Sequence, residues 1–68
     1  MRPNIVSVRV DKNRIKFNGE HRFIVTFDMA VNYGGISPNP KEKYVWGVDE
    51  MDAYANATKG IERIYGKG

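Results

Sequence analysis

Cysteine is absent from this 68-residue chain, and histidine and tryptophan occur once each. Each shortage removes a class of protein. Without thiols there is neither a disulfide framework nor a thiolate metal site, so apolar burial alone must hold the fold. The same absence suits a reducing compartment, and the expectation is a cytoplasmic protein. The first ten residues, MRPNIVSVRV, lack the uncharged apolar run of a signal peptide, and nowhere is there a stretch of the ~20 apolar residues a membrane span needs. The chain is therefore read as soluble, with no membrane partner. A single histidine with no cysteine beside it leaves little from which to assemble metal, nucleophilic or acid–base chemistry. His21 directly follows Asn18-Gly19-Glu20 at the start of a strand pattern, where a surface or half-buried imidazole is the usual outcome. The expectation is a non-enzyme with no catalytic residues, no cofactor and no metal.

What is present is an ordinary globular composition, 41% hydrophobic and 28% charged, which argues against disorder. Residues 1–68 make one domain, and a chain this short buries only about 60% of the surface its unfolded form exposes, so its core is thin. The net charge of +3 is unevenly placed. Arg2, Arg9, Lys12, Arg14, Lys16 and Arg22 outnumber Asp11, Glu20 and Asp28 in residues 1–30, whereas residues 31–68 balance.

The apolar pattern changes period along the chain. Residues 4–10 alternate, with Val6, Val8 and Val10 on one face and Ser7 and Arg9 on the other, the period of a half-buried strand. A second short strand over 14–17 alternates Arg14 and Lys16 with Ile15 and Phe17. Asn18-Gly19 then marks a tight hairpin, because both residues tolerate positive φ. A third strand spans 21–31, its odd positions facing the core. Residues 32–42, NYGGISPNPKE, are rich in glycine, proline and asparagine and form a long loop. Residues 43–48 read as a fourth strand. From Asp49 the apolar residues recur every three or four positions, Met51, Tyr54, Ala57, Ile61 and Ile64, predicting a helix over 49–65. Asp49, Glu50 and Asp52 fit first-turn capping and the helix dipole better than a metal site, and Gly66 marks the stop. The Gly34-Gly35 pair lacks the spacing of a phosphate loop and reads as a turn.

These elements imply an α+β fold of β-β-β-β-α order: a three- to four-stranded antiparallel sheet with one C-terminal helix packed on one face. The expected core is Val6, Val8, Val10, Ile15, Phe17, Phe23, Val25, Phe27, Trp46, Met51, Tyr54, Ala57, Ile61 and Ile64. Arg9, Arg14, Lys16 and Arg22 then share the face opposite the helix, with Ile5 and Ile24 among them. Arginine interleaved with exposed aliphatic residues suits a protein interface, while single-strand nucleic-acid platforms present aromatic rings, which in this pattern point inward. Tyr33 and Ile36 in the 32–43 loop form a second candidate surface.

The helix segment Asp52-Ala53-Tyr54-Ala55-Asn56-Ala57-Thr58-Lys59-Gly60-Ile61 resembles the E-A-x-x-N-A-x-x-x-I helix of HicB-type antitoxins, small bacterial proteins whose partner is a ribonuclease toxin. It departs from that pattern at Asp52, where glutamate is usual, and at Gly60, where alanine is common. Tyr44-Val45-Trp46-Gly47-Val48 stands in place of the proline-aspartate and glycine pattern that precedes the helix in that family. The resemblance implies a strand-strand-strand-helix packing and an inhibitor-like role.

Together these features lead to the expectation of a small protein-binding module, a phage or bacterial accessory protein that inhibits or modulates a larger protein or nucleoprotein complex with an acidic surface. Its contacts would be Arg9, Arg14, Lys16, Arg22, Ile24, Tyr33 and Ile36, and it would be a monomer or weak homodimer. The alternatives are nucleic-acid binding through Arg9, Arg14, Lys16 and Arg22, and a homo-oligomeric structural protein.

Overall fold

The computed structural model of the chain describes residues 2–11, 16–31 and 39–66, with the backbone alone at Lys16. Expectations placed on Arg14, Ile15, Tyr33 and Ile36, and on the Lys16 side chain, lie outside the described residues. The elements are β1 (Ile5–Val10), β2 (Lys16–Phe17), β3 (Glu20–Phe27), β4 (Glu42–Gly47) and α1 (Glu50–Tyr65). The sheet is antiparallel and three strands wide. β3 is central, with β4 on one edge and β1 on the other, and β2 adds only a two-residue ladder to β3 across the hairpin. Asn18 and Gly19 both adopt positive φ, as a two-residue hairpin of primed type requires.

β3 alternates as its sequence predicts. Phe23, Val25 and Phe27 are buried under the helix, while Arg22, Ile24 and Thr26 face the other way. The strand ends at Phe27 rather than running to residue 31. Asp28 turns the chain there, its N–H donating to the Asn4 carbonyl and its carboxylate accepting from Asn4 N–H and Nδ2. Beyond the bend Val31 re-enters the core, held by its N–H on the Pro40 carbonyl.

β1 departs from simple alternation. Ile5 pairs with Phe27 and Ser7 with Thr26, so Val6 is an extra residue in a β-bulge. An inserted residue reverses the parity of what precedes it. Ile5 therefore packs on the core side while Val6, assigned to the core by alternation, is 63% exposed. Val8 remains packed against the core, but Val10, at the strand end, is an exposed apolar residue.

β4 places Lys43, Val45 and Gly47 toward the helix, and Glu42, Tyr44 and Trp46 on the opposite face. Trp46 is thus not in the helix-covered core. It meets Phe17 edge-on at 6.5 Å between ring centroids, on the outer face, where Phe17 is also exposed.

The helix starts on a reciprocal cap. The Asp49 carboxylate accepts from Asp52 N–H at 2.8 Å, and the Asp52 carboxylate accepts from Val48 N–H at 3.0 Å. Its buried face is Ala53, Ala57, Gly60 and Ile61. Met51, Tyr54 and Ile64, expected in the core, are exposed. Proximity decides between the two stripes. A Cβ on Gly47 would lie 2.6 Å from the Ala53 nitrogen, so the helix backbone rests directly on β4 and only small side chains fit between them. At the other end Gly66 N–H donates to the Glu62 carbonyl, and the Arg2 guanidinium donates to the Gly66 carbonyl.

Candidate functional site

The outer face of the sheet carries the arginines singled out in the sequence, and it gives each described one a partner. Arg9 on β1 donates to Glu42 on β4 at 2.8 Å and to Thr26 on β3 at 3.1 Å, which ties all three strands together. Thr26 Oγ1 and Asn39 Nδ2 also donate to the Glu42 carboxylate, which these bonds, the Arg9 side chain first, hold below the usual range. Arg22 is ion-paired with Asp11, its Nε donating at 2.6 Å, and its guanidinium lies 4.1 Å from the centre of the Tyr44 ring. Ile24 sits half-buried on β3, flanked in register by Arg9 and Tyr44. Arg9, Arg22 and Ile24 therefore do come together on one face. The two arginines, however, are neutralised within the sheet. Phe17, Tyr44 and Trp46 share that face, contrary to the inward placement read from the pattern.

The two outer edges of the sheet differ. Lys41 on the β4 side accepts from Phe27 N–H, so by antiparallel alternation the backbone groups of Glu42, Tyr44 and Trp46 point away from β3. Helix side chains close the end of this edge: Asn56 Nδ2 donates to the Trp46 carbonyl at 2.8 Å, and Asp52 takes the Val48 N–H. On β1 the Asp11 N–H donates to the Arg22 carbonyl, so Asp11 and Arg9 point inward to β3 while Val8 and Val10 direct their N–H and C=O groups outward. Among the described residues no side chain or strand takes those outward groups.

Beside this free edge, between β1 and the first turns of α1, lies an open groove of about 380 Å³ lined by Ile5–Val8, Glu50, Met51 and Tyr54. Val6, Met51 and Tyr54 are 63%, 83% and 52% exposed. These three exposed side chains line one groove, and a contiguous exposed apolar surface is a candidate for an interaction site. Pattern reasoning assigned all three to the core. For Met51 and Tyr54 the available signal was the pair Gly47 and Ala53, whose small size allows the helix to lie close to β4.

Among the described residues no group of three or more histidine, cysteine, aspartate or glutamate side chains is placed to hold a metal ion. His21 is half-buried in β3, paired in register with Lys16 and Gly47. No described helix is long and apolar enough to cross a membrane. Compared with known protein families, curated proteins and solved structures, the chain gives no match.

Proposed function

We propose that this protein is a non-enzymatic protein-binding module that captures an extended segment of a larger partner protein as an added strand on β1. One observation carries this reading: the outward N–H and C=O groups of Val8 border a largely apolar groove and those of Val10 continue the same edge, whereas at the end of the β4 edge Asn56 and Asp52 take the Trp46 carbonyl and the Val48 N–H. In strand addition, main-chain hydrogen bonds supply affinity and alternate side chains entering a groove supply specificity. Here Val6, Met51 and Tyr54 would receive them. The bulge at Val6 disrupts regular pairing at the start of β1, which disfavours indiscriminate edge-to-edge aggregation. Inhibition or modulation of a larger phage or bacterial protein is the role that this reading gives a module with a groove-flanked edge.

A second reading is favoured by the outer face, where Phe17, Tyr44 and Trp46 could stack single-stranded nucleic acid. The ion-pairing of Arg9 and Arg22 weighs against it, since phosphate binding rests on uncommitted cations. Variants separate the two surfaces. In a tagged pull-down from nuclease-treated bacterial lysate, a stoichiometric protein retained by wild type and Phe17→Ser but lost by both Met51→Glu and Val10→Pro supports the edge. Proline at Val10 removes an outward N–H and leaves the bonds to β3 in place. Loss in Phe17→Ser alone, or binding of single-stranded oligonucleotide with a steep salt dependence, overturns it.

A further inference from the structure

Among the described residues, one charge lines the groove beside β1. Glu50 is exposed at the start of α1 and lines the groove, and among the described residues it has neither an ion pair nor a hydrogen-bond partner. Its neighbours Asp49 and Asp52 are committed to the helix cap, and Arg9 and Arg22 to Glu42 and Asp11. Among the described residues, the uncommitted charge that lines this groove is therefore negative, although the chain as a whole carries +3. An incoming strand paired at Val8 places alternate side chains on the helix side of the sheet, beside the groove that Val6, Met51, Tyr54 and Glu50 line.

We infer that the captured segment alternates apolar residues with a lysine or arginine that meets Glu50. This rests on the reading of β1 as a strand-accepting edge and adds the chemistry of the strand. A cation at that position gains an opposite charge beside apolar walls, whereas a carboxylate there is repelled, so the pairing selects among segments of equal hydrophobicity.

Three short synthetic peptides test the inference, each alternating valine and threonine between glycine-serine ends. They differ at one groove-side position, which is valine, lysine or glutamate. Titration into the intact protein, followed by fluorescence anisotropy, should give the lysine peptide about three- to fivefold tighter binding than the glutamate peptide, the size of one solvent-exposed ion pair. Glu50→Lys should invert that order, and high salt should narrow the gap. Equal binding of the lysine and glutamate peptides to wild type overturns the role of Glu50 while leaving the strand-accepting edge standing. If no peptide binds, the edge reading itself falls. A mass in light scattering that doubles with concentration and reverts in Val10→Pro makes a second copy the occupant and overturns the inference as well.

Discussion

Gly47→Ala should destabilise the protein although it adds a single methyl group. Gly47 is buried at the end of β4, and a Cβ there would stand 2.6 Å from the Ala53 nitrogen, 3.0 Å from its Cα and 3.2 Å from the Asp49 carbonyl oxygen. These are backbone atoms of the first helical turn, where Ala53 N–H donates to Asp49 C=O at 3.0 Å, so no rotamer change relieves the clash. The helix start must move off β4. Overpacking of this kind costs about 1–3 kcal/mol, and a weakened first-turn bond adds about 0.5–1.5 kcal/mol. Reduced freedom of the unfolded chain offsets about 0.4–1 kcal/mol. The net loss of about 0.5–4 kcal/mol is a substantial share of the roughly 3–10 kcal/mol that a domain of this length commands. Urea unfolding followed by helical circular dichroism should show a clearly lower midpoint. Ala53→Gly in the same chain should not rescue it, because the obstacle is the backbone and not the Ala53 methyl. A midpoint at or above that of wild type would refute the close helix–strand approach on which the placement of Met51 and Tyr54 depends.

Two further perturbations address the frame around the edge. Asp28 is held below its usual carboxyl range chiefly by the Asn4 backbone N–H and then by its side chain, and Glu42 chiefly by Arg9. Both contribute stability that is present above their unfolded values of 3.8 and 4.5 and is lost as pH falls through the lower folded values. The thermal midpoint should therefore stay level toward pH 5 and drop below about pH 4.5, less steeply in Asp28→Asn and Glu42→Gln. An identical acid slope in both variants would contradict those bonds. Asp49→Ala removes the cap on Asp52 N–H and should cost about 1 kcal/mol in the same urea assay.

The fold was readable wherever local chemistry decides it. Asn18-Gly19 specified its turn through two positive φ angles, β3 kept strict alternation under the helix, and Asp49 capped as its position suggested. The errors arose where one residue changes parity or distance. Val6 is the extra residue of a bulge, an event that leaves no mark in an alternating IVSVRV run and moved Ile5 inward. On β4, Val45 and Gly47 took the core side, which sent Trp46 outward to Phe17. On α1 the expected Ala57 and Ile61 are buried, but Met51, Tyr54 and Ile64 are displaced from the core by Ala53 and Gly60, because the close Gly47–Ala53 approach leaves no room for a bulky side chain at the first turn.

For the candidate site the misreadings share a physical cause. The basic face was legible as a set of neighbours, and Arg9, Arg22 and Ile24 do meet there. Their neutralisation by Glu42 and Asp11 depends on strand register, which places residues far apart in sequence side by side. The groove was hidden because Val6, Met51 and Tyr54 are the residues that a pattern-based core claims first. Their exposure is what separates this protein from a plain sheet-and-helix scaffold.

The most direct measurement is residue-resolved amide hydrogen exchange on the free protein and on the protein saturated with the lysine-bearing peptide. In the free protein Val8 and Val10 should exchange rapidly and Arg9, whose N–H faces β3, slowly. On saturation Val8 and Val10 should become protected while Trp46 and Phe17 remain unchanged. Protection of Val8 and Val10 already present in the free monomer, or protection that develops around Phe17 and Trp46 instead, would contradict the account of β1 as the binding edge.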